Sequence, residues 1–208
     1  MQSSGVFSCM DRSHYIYSFK SLLQIVCLCL AVNACTADRH ITGRNFISAY
    51  PEANIRVGSQ LRYLGRTTYD VQVKRAEKDG YITHVTESHL YVPENVRGGT
   101  VTKGLDIRIT SIREEGESFV VRDDAYNKAL DYDIITMAGG KYECATWLIR
   151  PSMKGGNSRY LESMGYKMPA CVLVREFKRD VDAKTRMKIV YWEESAASRF
   201  SCDKGKMP

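Results

Sequence analysis

The stretch YDVQVKRAEKDGYITHVTESHLYVP, residues 69–93, alternates apolar and polar residues on either side of an Asp79-Gly80 pair. Tyr69, Val71 and Val73 leave the backbone on one side, and Asp70, Gln72 and Lys74 on the other, because successive side chains of an extended strand point in opposite directions. The pattern predicts a half-buried strand, a hairpin turn at Asp79-Gly80, and a second, longer strand over residues 81–92. Pro93 ends that strand, since its ring nitrogen has no hydrogen to donate.

Working outward, the same period of two begins at Ser59 and recurs to the end of the chain. Residues 94–104, with Gly98-Gly99, read as a loop. Residues 105–112 and 118–122 form the next predicted pair, joined by the polar turn 113–117, and residues 123–131 are a short helical or irregular link. Residues 133–138 and 141–150 flank Gly139-Gly140 as a hairpin. After a loop over 151–156, Asn157 caps a short helix over 158–164 and Gly165 ends it. Residues 170–177 and 187–192 make the last hairpin, with Met187, Ile189 and Tyr191 on one face. The fold class that follows is mostly β, an antiparallel sandwich or partly closed barrel with one short helix. The predicted globular domain covers residues 59–193, with a polar tail over 194–208. Helices do not alternate with strands, which argues against a doubly wound α/β sheet.

The chain of 208 residues carries a formal net charge of +6. Its charges are interleaved, as in Lys74-Arg75-Ala76-Glu77-Lys78-Asp79 and Arg175-Glu176-Phe177-Lys178-Arg179-Asp180. Mixed signs of this kind mark solvated strand ends and turns. A nucleic-acid face would gather one sign beside stacking aromatics, so no nucleic-acid partner is expected.

The start of the chain is different. Residues 22–32, LLQIVCLCLAV, are an eleven-residue apolar run interrupted only by Gln24. A spanning helix needs about 20 apolar residues, whereas a signal-peptide core occupies about 7–15. Arg12 and Lys20 precede the run, and Met10 is an alternative start. Val32-Asn33-Ala34-Cys35 resembles the lipobox of bacterial prolipoproteins, with an aliphatic residue three before the cysteine and a small one directly before it. That resemblance implies a signal peptide over 1–34, diacylglyceryl transfer to the Cys35 thiol, cleavage before it, acylation (palmitate or a similar chain) of the new amino terminus, and a tether over 35–58. It places the protein in the bacterial cell envelope, with Thr36 favouring the outer membrane if the host is Gram-negative. Each buried methylene of such an anchor contributes about 0.8 kcal/mol. The alternatives are ordinary cleavage after Ala34 or Ala37, giving a soluble secreted protein, or an uncleaved anchor. Within the tether, Phe46, Ile47 and Tyr50 are candidates to dock on the domain.

Beyond Cys35, three cysteines remain, Cys144, Cys171 and Cys202. One disulfide among them has three pairings; a bridge from Cys171 to Cys202 would hold down the polar tail, while Cys144 and Cys171 also suit a core.

Chemical motifs are sparse. His84 and His89 are five apart on a strand and face opposite sides, so they do not form a two-histidine metal face; Glu87 and His89 share a side. Gly155-Gly156-Asn157-Ser158-Arg159 invites comparison with an anion-binding entry to a helix, but it lacks the P-loop lysine and glycine spacing and reads as a plain helix-entry loop. Glu114, Glu115, Glu117, Asp123 and Asp124 read as solvated carboxylates. Tyr142, Trp147, Tyr160, Tyr166, Phe177, Tyr191 and Trp192 concentrate in the last third and suit either a core or a cavity lining. No cofactor and no metal is expected. The functional expectation is a membrane-anchored, non-enzymatic binding or scaffold domain whose partners are membrane lipid and an unidentified envelope protein. The alternatives are a small secreted or periplasmic enzyme, with a site near His84, Glu87 and His89, or a ligand-carrying β-barrel.

Overall fold

The computed structural model describes residues 38–75, 79–96, 99–119, 129–137, 140–151, 156–195 and 202. The strands are β1 Arg39–Thr42, β2 Asn45–Ser48, β3 Ala53–Arg56, β4 Leu61–Lys74, β5 Tyr81–Pro93, β6 Lys103–Ile112, β7 Asp131–Met137, β8 Gly140–Ile149, β9 Val172–Asp180 and β10 Thr185–Glu194. Among the described residues there is one helix, α1, spanning Gly156–Ser163. The protein is mostly β, with two antiparallel sheets: a three-stranded one, β1-β2-β3, and a seven-stranded one in the order β4-β5-β6-β10-β9-β8-β7.

The hairpin around Asp79-Gly80 pairs β4 with β5 from Lys74↔Tyr81 to Leu61↔Pro93, with a bulge at Tyr63/Gly65. Gly80 has φ +103°, a conformation that side chains with a Cβ avoid. β7 pairs with β8 and β9 with β10, so the large sheet is built of two meanders, β4-β5-β6 and β7-β8-β9-β10. They join where β6 lies antiparallel to β10, for instance Ile107↔Ile189.

Both faces of the large sheet are covered. On one face Leu61, Tyr91, Ile107, Ile109, Met187 and Ile189 pack around Phe46 of β2, forming the core between the two sheets. On the other, Leu90, Val92, Val174, Val190 and Trp192 pack against Leu161 of α1 and Tyr166 beyond it. Double coverage explains why His89, Leu90, Tyr91 and Val92 are all buried in a row, since a sheet covered on both sides has no solvated face.

Three readings of the sequence change. The segment expected to be a tether carries β1–β3 from Arg39 onward, so the domain begins at Arg39 rather than at residue 59. Each of these strands has four residues, too few turns of the period to register, and Phe46 is the largest side chain they bury against the large sheet, with Ile41, Ala53 and Ile55 packed beside it. Residues 118 and 119, expected to begin a strand beside β6, do not form one, and 120–122 lie outside the described residues. Both edges of β6 are already taken, by β5 and by β10. Phe119 instead sets its ring against His84, 5.1 Å between centroids, with the Arg186 guanidinium 4.0 Å above it. Finally, Asn157 sits inside the first turn of α1, and its side chain reaches across to β6 instead of capping the helix. Gly165, with φ +79°, follows the helix end.

Between the sheets, β1 is tied to β5 by charge. Arg39 Nη1 lies 2.8 Å from Glu87 Oε2, and His89 Nε2 lies 2.7 Å from Glu87 Oε1. A carboxylate only accepts, so His89 donates from Nε2, leaving Nδ1 to accept from the Tyr63 hydroxyl at 3.3 Å. The hydrogen bond from His89 lowers the Glu87 pKa below its ordinary 4.5; burial opposes this and Arg39 reinforces it. A depressed carboxylate pKa contributes stability that is fully present above the unfolded value and is lost as pH falls through the folded one. Wild type is therefore expected to lose stability more steeply than Glu87→Gln as pH falls below the ordinary carboxylate value of 4.5. Urea unfolding midpoints across that range check it; parallel pH profiles for the two proteins would contradict it.

Candidate ligand-binding site

The helix-covered face of the large sheet combines an apolar floor with buried charge. Along β6, Asp106 and Arg108 point to this face while Leu105, Ile107 and Ile109 point to the other. Across the sheet, Asp106 stands beside Leu90 and Val190, and Arg108 beside Ser88 and Lys188. Asp106 is fully buried, 0% exposed. It accepts hydrogen bonds from the Ser88 hydroxyl, Arg108 Nε and Asn157 Nδ2. Next to it, Lys188 Nζ bridges both oxygens of Glu176 at 3.0 and 3.1 Å. Buried carboxylates with matched cations avoid the penalty of an unpaired charge.

Between this face and α1 lies a cavity of roughly 700 Å³, within the usual range of ligand pockets, about 300–1,000 Å³. Its apolar part is formed by Leu90, Leu161, Val172, Val174, Val190 and Trp192. Its polar part is formed by Tyr69, Asp106, Arg108 and Asn157, with Arg159 exposed on the first turn of α1. Burial disfavours the charge on Arg108, but Asp106, with Tyr69 and Glu176, more than offsets this and raises its pKa. Burial raises the Tyr69 phenol, Arg108 opposes it and Asp106 adds to it. Tyr69 therefore stays a neutral hydroxyl across the physiological range.

Two polar atoms on this wall have no hydrogen-bond partner although they are buried: Asn157 Oδ1 and Trp192 Nε1. Close glycines shape the wall. A Cβ on Gly156 would come within 2.5 Å of the Tyr69 ring, and one on Gly104 would run into the Trp192 indole. Gly104→Ala is expected to cost about 1–3 kcal/mol by overpacking and to shift the tryptophan emission as the indole is displaced. Emission spectra and thermal melts check it, and a variant identical to wild type in both would contradict the contact.

The structure distributes the other sequence-derived candidates as follows. Glu87 and His89 are hydrogen-bonded to each other, but His89 is 2% exposed beneath Phe46, 4.8 Å from that ring. His84 lies on the opposite face against Phe119, so the three do not converge. Burial lowers its pKa, with Arg186 adding to the effect. Glu114 accepts the Thr83 N–H at 2.8 and 3.0 Å, and Glu117 pairs with Arg75 at 3.1 Å. Gly155, Asp123, Asp124 and Cys35 lie outside the described residues, whereas Gly156, Asn157, Ser158 and Arg159 open α1 at the cavity. Cys171 and Cys202 are bonded to each other, Cα atoms 5.9 Å apart, and Cys144 is buried and free. Of the late aromatics, Trp192 lines the cavity; Tyr142 and Phe177 belong to the other core. No helix among the described residues is long and apolar enough to cross a membrane.

Asp106, Arg108 and Tyr69 were not singled out as site residues from sequence, whereas Asn157 stood in the glycine-led helix entry and as a cap. A signal was present in LDIRIT, residues 105–110, where an acid and a base two apart interrupt one face of an otherwise apolar strand. These features define a β-sandwich with a helix-covered, partly charged cavity. No family model, no curated protein and no solved structure matches the chain.

Proposed function

We propose that this protein is a non-enzymatic ligand-binding domain tethered to the bacterial cell envelope through an acylated Cys35. The observation that carries the binding role is the cavity under α1, where apolar side chains meet a buried charge pair and two unpartnered polar atoms. A concave space with a large apolar wall and a few convergent polar groups is the usual form of a small-molecule site. The tether rests on the apolar run over 22–32 and on Val32-Asn33-Ala34-Cys35. A single acyl chain holds only marginally, and the several chains of a processed lipoprotein hold stably. The anchor keeps the cavity near a membrane, where apolar ligands are concentrated.

Labelled palmitate fed to a bacterial host expressing the full chain tests the tether. Label is expected in the wild type, and Cys35→Ser is expected to abolish it and to leave unprocessed precursor. Mass spectrometry of the mature amino terminus reads the same event directly. An unlabelled wild type, or an amino terminus without acyl chains, would overturn the tether.

A further inference from the structure

We propose that the cavity takes an amphipathic anion: an acyl-type molecule whose anionic head lies on Arg108 and carries a hydrogen-bond donor for Asn157 beside the charge. The proposal rests on the ligand-binding reading above and adds the chemistry of the ligand.

The argument starts from what each polar group has left to offer. Asp106 already receives three donors, and its charge is matched by Arg108. It therefore has little capacity to hold a cationic head. Arg108 uses only Nε in that contact, and its two Nη groups carry no bond to a described residue. The side chain is 30% exposed, so this planar fork is open to a ligand. A guanidinium fork matches a carboxylate or phosphate with two parallel hydrogen bonds. The neighbouring charges do not compete for it: Glu176 is held by Lys188, and Asp70 is held by Arg113 at 2.8 Å. The lining thus carries two cations, Arg108 and the exposed Arg159, against two carboxylates, Asp106 and Asp70, the second of which is paired with Arg113 outside the lining.

Asn157 supplies the second requirement. Its Nδ2 is committed to Asp106, which places its Oδ1, buried and without a partner, close to the Arg108 fork. A buried acceptor left unpaired is costly, so a ligand that donates there gains over one that does not. A head with an anion and an adjacent O–H or N–H meets both atoms; a hydroxy acid or an N-acyl amino acid has this form. The tail is set by the wall of Leu90, Val174, Val190 and Trp192, which offers only apolar surface apart from the indole N–H.

Tryptophan emission reads the site directly, because Trp192 lines it and the chain has two tryptophans. The full chain, held in phosphatidylcholine nanodiscs with empty nanodiscs as the blank, is titrated with octanoate, 3-hydroxyoctanoate, octyl phosphate, octanol and octylammonium. Octanoate is expected to bind about tenfold more tightly than octanol or octylammonium, as a charge-assisted pair allows, and 3-hydroxyoctanoate more tightly still. The phosphate arm distinguishes the two kinds of anionic head. Arg108→Lys keeps a cation beside Asp106 but loses the fork, so it should erase most of the anion preference and leave octanol unchanged. Asn157→Leu should erase the hydroxyl preference alone. Arg159→Gln, an exposed change that does not threaten the fold, should weaken all three anions several-fold, and near-UV dichroism shows that each variant is folded. Equal binding of octanol and octanoate, or tighter binding of octylammonium, would overturn the proposed head while leaving a binding cavity. No response to any of the five would overturn the ligand-binding reading itself.

Discussion

Asp106→Ala is expected to lower the stability of the domain by about 3–5 kcal/mol, the cost of breaking a buried ion pair from one side. The substitution removes the carboxylate and strands what it held. Arg108 is left with an uncompensated charge, and the Ser88 hydroxyl and Asn157 amide lose their acceptor. Asp106→Asn keeps the shape and part of the accepting capacity, so a smaller loss of about 1–3 kcal/mol is expected. The double variant Asp106→Leu/Arg108→Met should recover most of the loss, because replacing both ions with apolar groups removes the desolvation penalty along with the attraction. Urea unfolding followed by tryptophan emission orders the three variants. A single variant within about 1 kcal/mol of wild type, a shift of the size expected of ordinary surface substitutions, would mean that the Asp106 carboxylate is not buried as described.

Phe46→Ala is expected to cost a similar amount, about 3–5 kcal/mol, as a large ring removed from a core leaves a cavity. Its consequence is local where that of Asp106 is global. Phe46 is 0% exposed and is the main apolar anchor of the three-stranded sheet on the large one, packed against His89, Leu61 and Tyr91. Without it, β1–β3 retain the Arg39–Glu87 ion pair and the smaller contacts of Ile41, Ala53, Ile55 and the adjoining Val57. Amide exchange in β2 should therefore accelerate far more than in β6 or β10. If exchange rises evenly across both sheets, the small sheet is not held as an appendage on one ring.

The same two regions show what the sequence made legible. Where the alternation runs for ten or more residues, as in β4 and β5, the period and the Asp79-Gly80 turn were sufficient to place the strands and their pairing. β1–β3 were not readable, because four-residue strands with one large buried side chain carry almost no period. The region after β6 misled for another reason: a polar turn followed by Phe119 and valines looks like a hairpin, yet strand partners are chosen by the whole sheet. β10, far along the chain, takes that edge. The cavity was hidden for a third reason. Tyr69, Asp106, Arg108 and Asn157 come from β4, β6 and α1, and only the register of the sheet brings them together. Trp192, one of the late aromatics, was visible as a candidate, but aromatic content alone does not separate a wall from a core.

The junction of β6 with β10 has a consequence for the rate at which the protein folds. Each meander is local in sequence, and its hairpins close short loops quickly. Their union requires residues 103–112 to meet residues 185–194, the last strand of the chain. Loop-closure entropy is spent before that contact returns anything, and sheets dominated by distant pairings fold in milliseconds to seconds. Leu90 and Asp106 are already paired within the first meander, and Val190 joins them only in that step. The cavity is therefore among the last parts of the molecule to take shape, and a chain that stops short of residue 185 has two separate three-stranded meanders and no site.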